Sequence, residues 1–282
     1  MSETIEKFNK HVMQTYGRLP IVLEKGHNDD AVDENGKEYI DFGSGIGTNS
    51  LGYCNDKWAD AVCAQARAIQ HTSNYFYTKV QADFAAKLCE LTGYTDVFFG
   101  NSGAEANECA IKLARKYSFD KYGKGRHTIV TLVNSFHGRT LATLSATGQD
   151  VFHNYFFPFV EGFVNVPAND IDALRKLIAE DKTICAVMFE FVQGEGGVNP
   201  LDKAFVDEIF KLCGENDILT VADEVQTGVG RTGAILTSMR YGVKPDITTL
   251  AKGIAGGVPM GACLADEKCA GGLVKGTHGS TF

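Results

Sequence analysis

The order of apolar and polar positions predicts strands alternating with helices along most of the chain. Short apolar runs of strand length occur near residues 96–99, 128–133, 184–189, 218–222, 247–250 and 260–265. Apolar stripes with helical spacing occupy about residues 57–70, 78–92, 104–118, 170–180 and 202–215. Near the N-terminus, residues 31–40 resemble a hairpin around Asn35 and Gly36. The pattern predicts an α/β fold, with a mostly parallel sheet covered by helices on both faces.

Composition narrows the class of protein without indicating its chemistry. The chain has 282 residues, of which 44% are hydrophobic, so it can bury a large core. Its formal net charge of −8 argues against a nucleic-acid or anionic-membrane partner. No apolar run approaches membrane-spanning length, and the N-terminus lacks the pattern of an export signal, so we expect a cytoplasmic protein. The 8 cysteines lack a CxxC pair and the 7 histidines lack metal-ligand spacing, which predicts reduced thiols and no metal site.

Two strand ends carry the most informative side chains. The apolar run at 218–222 ends in Asp223, and the run at 247–250 is followed by Lys252 in a glycine-rich turn. A pyridoxal phosphate enzyme needs a lysine amine for the Schiff base and a carboxylate beside the pyridine nitrogen. A strand-end Asp-Glu also suits the magnesium site of an ATPase, but the phosphate loop GxxxxGK[ST] is missing. A pyridoxal phosphate enzyme is the first hypothesis, but a Lys-Gly pair is more often a helix end, so the hypothesis needs independent support from a phosphate site.

Two further segments add a phosphate site and a substrate site. Residues 96–107 form a strand, a small-residue turn and a helix start, where free N–H groups bind anions and Gly103 permits close approach. In the segment 133–140, Phe136 can stack on a planar ring and Arg139 can hold a carboxylate. Taken singly, these features are more typical of a capped helix, a core aromatic and a surface ion pair. Their combination supports the cofactor hypothesis.

The motifs NSGAEAN, SFHGRTLATLSATGQ, VQGEGGV, ADEVQTGVGRTG, LAKGIAGGVPMGA and HGSTF extend over most of the chain. With them the sequence resembles the class III aminotransferases of fold type I, and most closely those that act on N2-acetylornithine. The resemblance implies transfer of the δ-amino group of N2-acetylornithine to 2-oxoglutarate, as in arginine biosynthesis, with pyridoxal 5'-phosphate as cofactor. Ornithine, succinylornithine or 4-aminobutyrate as donor, or a truncated non-catalytic cofactor-binding form, remain alternatives.

The resemblance also implies roles for individual residues. Lys252 would form the Schiff base and move the substrate proton, Asp223 would pair with the pyridinium nitrogen, and Gln226 would bind the phenolic oxygen. The implied cofactor contacts are Ser102, Gly103, Ala104, Phe136, Asp223, Glu224, Val225, Gln226, Lys252 and Thr281. The implied substrate contacts are Arg139, Glu195 and Ser280. Because Ser280 and Thr281 would reach across an interface, the resemblance implies a homodimer with shared active sites.

The sequence departs from the family pattern at two places. Phe191 replaces the usual proline, and the chain stops at Phe282, inside the HGSTF motif. The C-terminal arginine that Glu195 would pair with in this family has no counterpart. We therefore expect residues 1–50 to contribute to a small α+β domain and residues 51–282 to form the large cofactor-binding domain. The C-terminal segment of the small domain would be absent, which predicts a truncated chain.

Overall fold

The computed structural model describes residues 2–282, in which helices and strands alternate along the chain. The helices are α1 Glu3–His11, α2 Ser44–Gly47, α3 Asp56–Ala68, α4 Lys79–Thr92, α5 Gly103–Tyr122, α6 Leu141–Ala146, α7 Ile171–Glu180, α8 Lys203–Asn216 and α9 Thr237–Tyr241. The strands are β1 Leu23–His27, β2 Asp30–Asp33, β3 Glu38–Ile40, β4 Asp96–Gly100, β5 Thr128–Leu132, β6 Phe163–Val166, β7 Ile184–Phe189, β8 Val192–Gln193, β9 Asn199–Pro200, β10 Leu219–Asp223, β11 Ile247–Leu250 and β12 Gly261–Ala265. Within residues 2–282, no helix combines the length and the apolar character that crossing a membrane requires.

A seven-stranded sheet organises the molecule, in the order β4-β12-β11-β10-β7-β5-β6. Strands β6, β5, β7, β10 and β11 run parallel to one another. Strand β12 is antiparallel to both of its neighbours, β11 and β4, so β4 points the same way as the parallel strands. The carboxyl ends of six strands therefore meet at one edge, where open α/β sheets bind their ligands.

Side-chain alternation along the strands builds a core on each face of the sheet. On one face, buried residues of α5 pack against every second residue of the central strands, among them Met188 and Val221. On the other face, α7 and α8 pack against the intervening residues, among them Val187 and Phe189. The predicted parallel sheet with helices on both faces is confirmed, apart from the antiparallel β12.

The six predicted strands and five predicted helices each have a counterpart in the structure, within a few residues of the expected ends. Strand β6 was not predicted, because it has only four residues and lies at the sheet edge, where only Val166 is buried. The predicted hairpin is formed by β2 and β3, with Gly36 in the left-handed region at φ 81°. Together with β1, these strands form a separate three-stranded antiparallel sheet.

Candidate active site

A cavity of about 430 Å³ lies at the carboxyl ends of β4, β5, β10 and β11. The structure brings ten of the residues predicted from sequence to its wall: Ser102, Gly103, Ala104, Phe136, Arg139, Glu195, Asp223, Val225, Gln226 and Lys252. A larger neighbouring cavity of about 1000 Å³ is lined without any lysine, arginine or carboxylate side chain. The smaller cavity therefore holds the amine, guanidinium and carboxyl groups, whereas the larger one is lined by the imidazole of His71 as its ionisable group.

Lys252 lies two residues after the end of β11 and is half-buried in the cavity wall. Its backbone lies in the left-handed region at φ 49°, a conformation that is uncommon for a lysine and frequent at functional sites. Burial lowers the pKa of the Lys252 amine. The nearby carboxylates of Asp223, Glu190 and Glu195 raise this pKa, but by less than burial lowers it. A lowered pKa raises the fraction of neutral amine, which is the nucleophilic form.

Asp223 is the last residue of β10, and only 4% of its surface is exposed. Its Oδ1 accepts a hydrogen bond from the Val225 N–H at 3.0 Å. Its Oδ2 accepts a hydrogen bond from Asn107 Nδ2 at 2.8 Å and lies 2.8 Å from His137 Nδ1. The carboxylate is thus held in one orientation by three groups from different segments.

Helix α5 begins at the cavity wall and provides an anion site. Ser102 caps the helix, and its Oγ accepts the Glu105 N–H at 3.2 Å. The N–H groups of Gly103 and Ala104 belong to the first helical turn, where no intrahelical acceptor exists. A Cβ atom at Gly103 would lie 2.8 Å from Val225 Cγ1, so the site has no room for a side chain there. This helix start fits a phosphate group.

Arg139 lies beside two aromatic rings at the cavity mouth. Its guanidinium carbon is 4.1 Å from the ring centroid of Phe152 and 5.4 Å from that of Phe136. Across residues 2–282, no carboxylate lies within 4.0 Å of its guanidinium nitrogens. The aromatic contacts orient the side chain while its hydrogen-bonding fork stays available for a carboxylate ligand.

Two glutamates of one loop differ sharply in environment. Glu190 is buried, and its Oε2 accepts the Phe136 N–H at 3.2 Å. Burial, and next the nearby Asp223 charge, raise the pKa of Glu190 well above its usual value. Glu195 is exposed, and its Oε2 accepts a hydrogen bond from Gln149 Nε2 at 2.5 Å. Glu190 therefore lines the cavity as an uncharged acid over a wider pH range than an ordinary glutamate.

Three of the residues predicted from sequence lie elsewhere. The Glu224 carboxylate accepts hydrogen bonds from the N–H groups of Thr237 and Ser238 at the start of α9. Ser280 Oγ donates to the Phe99 carbonyl at 3.4 Å, and Thr281 lines the larger neighbouring cavity. Conversely, the cavity wall includes Asn107, His137 and Glu190, which the sequence analysis gave no role. All three lie within the quoted motifs or next to them, so the motifs were the available signal.

Comparison with known proteins identifies the family. The class-III aminotransferase family matches residues 12–282. An acetylornithine aminotransferase of Haemophilus ducreyi is 53% identical over 272 residues, which cover 96% of this chain and 69% of the relative. A succinylornithine transaminase of Citrobacter koseri is 45% identical and is covered to 69% of its length. The crystal structure of ornithine aminotransferase from Toxoplasma gondii superposes with a TM-score of 0.94 at 34% identity, over 99% of this chain and 66% of that one.

Pyridoxal phosphate is the cofactor of this family. The residues present fit it, because the cavity combines a lysine amine, a buried carboxylate and a helix start with free N–H groups. The chain spans about two thirds of the length of these relatives. From the family match and the identity over nearly its whole length, the chain belongs to the class-III aminotransferases.

Proposed function

We propose that the protein transfers the δ-amino group of N2-acetylornithine to 2-oxoglutarate, giving N-acetylglutamate semialdehyde and glutamate. The observation that carries the proposal is the 53% identity to an acetylornithine aminotransferase, across a chain whose lysine, carboxylate and anion site share one cavity. The similarity to a succinylornithine transaminase at 45% identity makes the succinyl donor the second candidate. Both donors carry an ω-amine and an α-carboxylate, so the same cavity would hold either.

Lys252 and Asp223 are the proposed catalytic residues. The amine of Lys252 would hold the cofactor and would move the proton at the substrate carbon, a role that its lowered pKa supports. Asp223 would pair with the protonated ring nitrogen, and Gln226 would bind the phenolic oxygen. Bound pyridoxal phosphate supplies a ring that accepts the electrons released at that carbon.

The start of α5 is the proposed phosphate cradle. Ser102, Gly103 and Ala104 would bind the phosphate oxygens through N–H groups and the Ser102 hydroxyl, which can donate outward while it caps the helix. Phe136 would stack on the ring, and Val225 would pack beside it. These contacts position the cofactor before the substrate enters.

Arg139 is the proposed clamp for the substrate α-carboxylate. Its freedom from ion pairing within residues 2–282 supports this role, as does its position at the cavity mouth. Glu195, which lies in the cavity wall, is a further proposed substrate contact. This arrangement disfavours 4-aminobutyrate as donor, because that molecule lacks an α-carboxylate.

The active site is proposed to be shared between two copies of the chain. Ser280 and Thr281 do not line the active-site cavity of their own copy. This supports the proposal that they contact the active site of a second copy. Glu224 remains a proposed cofactor contact. Because its side chain binds the start of α9, this contact would come from its backbone. We further propose that residues 1–50 belong to a small domain, that residues 51–282 form the large domain, and that the protein is cytoplasmic.

A direct test uses the 282-residue chain with added pyridoxal phosphate. Borohydride reduction followed by peptide mass spectrometry is expected to find the cofactor on Lys252, and Lys252→Ala is expected to abolish it. Glutamate formation from 2-oxoglutarate is then compared for N2-acetylornithine, N2-succinylornithine, ornithine and 4-aminobutyrate. N2-acetylornithine is expected to give the highest kcat/KM. A clear preference for another donor would replace the substrate, and attached cofactor without glutamate formation would refute the activity.

A further inference from the structure

A chain of buried hydrogen bonds ends on the Asp223 carboxylate. Thr249 Oγ1 donates to Asn107 Oδ1 at 2.7 Å. Asn107 Nδ2 donates to Asp223 Oδ2 at 2.8 Å and to the His137 carbonyl at 2.7 Å. The exposed fraction is 1% for Asn107 and 0% for Thr249, so water does not compete for these bonds. Both amide protons and the amide oxygen of Asn107 are thereby paired.

Asn107 joins the three segments that carry the proposed chemistry. It lies on α5, four residues after Gly103 in the anion site. Thr249 lies on β11, three residues before Lys252, and Asp223 ends β10. One side-chain amide therefore connects the phosphate cradle, the lysine strand and the carboxylate.

The network allows only one orientation of the amide. With the two ends exchanged, Asn107 Oδ1 would face two acceptors, the Asp223 carboxylate and the His137 carbonyl. Unpaired or repelling polar atoms in a buried site are costly, so the amino end stays on Asp223. The Thr249 hydroxyl completes this arrangement, because it donates to the amide oxygen at the opposite end.

We propose that Asn107 is a positioning residue that holds the Asp223 carboxylate toward the ring nitrogen of the cofactor, with Thr249 fixing the amide in its working orientation. The inference rests on the proposed role of Asp223. Asp223 Oδ2 is shared between Asn107 and His137, whose Nε2 has no hydrogen-bond partner within residues 2–282. The imidazole is therefore anchored only through Nδ1, whereas the Asn107 amide is held at both of its ends and is the more rigid of the two contacts to Oδ2.

The test compares Thr249→Val, which keeps the side-chain shape without the hydroxyl, with Thr249→Ser, which restores the hydroxyl. The main readout is the pH titration of the ring nitrogen in bound cofactor labelled with ¹⁵N, and the second is the cofactor dissociation constant. In Thr249→Val and in Asn107→Leu, the ring nitrogen is expected to lose its proton at lower pH. Conversion of N2-acetylornithine is expected to slow about tenfold in Asn107→Leu, which removes a hydrogen bond to a charged group, and by less in Thr249→Val, which removes one between neutral groups.

Thr249→Ser is expected to restore the ring-nitrogen titration and the rate of N2-acetylornithine conversion. At a pH at which the ring nitrogen is unprotonated both free and bound, the cofactor dissociation constant is expected to change by less than about threefold in all three variants, because none removes a phosphate or lysine contact. An unchanged ring-nitrogen titration in Thr249→Val would overturn the inference while leaving the proposed function intact. Failure of the unsubstituted chain to bind the cofactor would overturn both. If Asn107→Leu does not fold, the comparison of Thr249→Val with Thr249→Ser tests the inference by itself.

Discussion

Replacing Ser102 by alanine separates the structural role of this residue from its proposed role in binding. Ser102 Oγ accepts the Glu105 N–H at 3.2 Å as the cap of α5. Removing such a cap costs about 1 kcal/mol of folding stability, which corresponds to about 2 °C in the melting temperature of a chain of this size. Loss of a hydrogen bond to a charged phosphate costs about 1.5–3 kcal/mol more, or about ten- to a hundredfold in cofactor affinity.

A matched control exists at the start of α7. Asp170 caps that helix, and its Oδ1 accepts the Ala173 N–H at 2.9 Å. Asp170 is absent from the residues that line the active-site cavity. Asp170→Ala is therefore expected to lower stability by a similar amount, about 1 kcal/mol, and to leave cofactor affinity unchanged.

The assay pairs urea unfolding of the cofactor-free chain with equilibrium titration of pyridoxal phosphate followed by absorbance. Ser102→Ala is expected to lose both stability and affinity, whereas Asp170→Ala loses only stability. Equal affinities in the two variants would refute the reasoning, because Ser102 would then serve the helix alone. A loss of affinity without a loss of stability would show instead that the cap is dispensable.

Three further predictions follow from the same cavity. Because the folded chain keeps a proton on Glu190 that the unfolded chain loses above the ordinary pKa of 4.5, stability is expected to fall as pH rises from 4.5 through the raised pKa. In urea unfolding at a series of pH values, Glu190→Gln should remove this component, and parallel curves for both proteins would contradict the assignment. Phe152→Leu is expected to raise the KM of N2-acetylornithine about two- to tenfold with little change in kcat, since it removes the ring 4.1 Å from the Arg139 guanidinium. Phe152→Tyr should behave as the unsubstituted chain in the same kinetic assay. Gly103→Ala is expected to lower the free energy of unfolding by about 1–3 kcal/mol and weaken cofactor binding, because its Cβ would lie 2.8 Å from the stiff Val225 side chain. An unchanged melting temperature would refute the tight packing there.

The sequence predicted the fold because its central strands are short and rich in apolar and β-branched residues, and because its helices carry clear apolar stripes. It also predicted that Asp223 and Lys252 meet, since the carboxyl ends of neighbouring strands lie at one edge of the sheet. Consecutive side chains at a strand end point to opposite sides of the sheet, so only one of Asp223 and Glu224 can face the cavity. The apolar pattern alone did not indicate which of the two it is. In the structure one faces the cavity and the other caps α9.

The buried network around Asn107 was beyond sequence reasoning for a different reason. Its members, Asn107, Asp223 and Thr249, come from three segments separated by 26 to 142 positions in the chain. The periodic pattern of apolar residues shows that such a polar side chain is buried in a helix or strand, but it does not show which residue is its hydrogen-bond partner. Only the packing of α5 against β11 and β10 brings the donors and acceptors together.

Burial shifts the pKa values of two groups of the cavity in opposite directions. It lowers the pKa of the Lys252 amine and raises the pKa of the Glu190 acid, which favours the neutral form of each. Asp223 lies close enough to raise the pKa of Glu190 further, yet it is surrounded by side-chain and backbone donors. Two buried carboxyl groups of one site are thus given different tasks by their surroundings rather than by their residue type. In this arrangement Asp223, whose carboxylate is held by three groups, is the one suited to face a positively charged ring nitrogen.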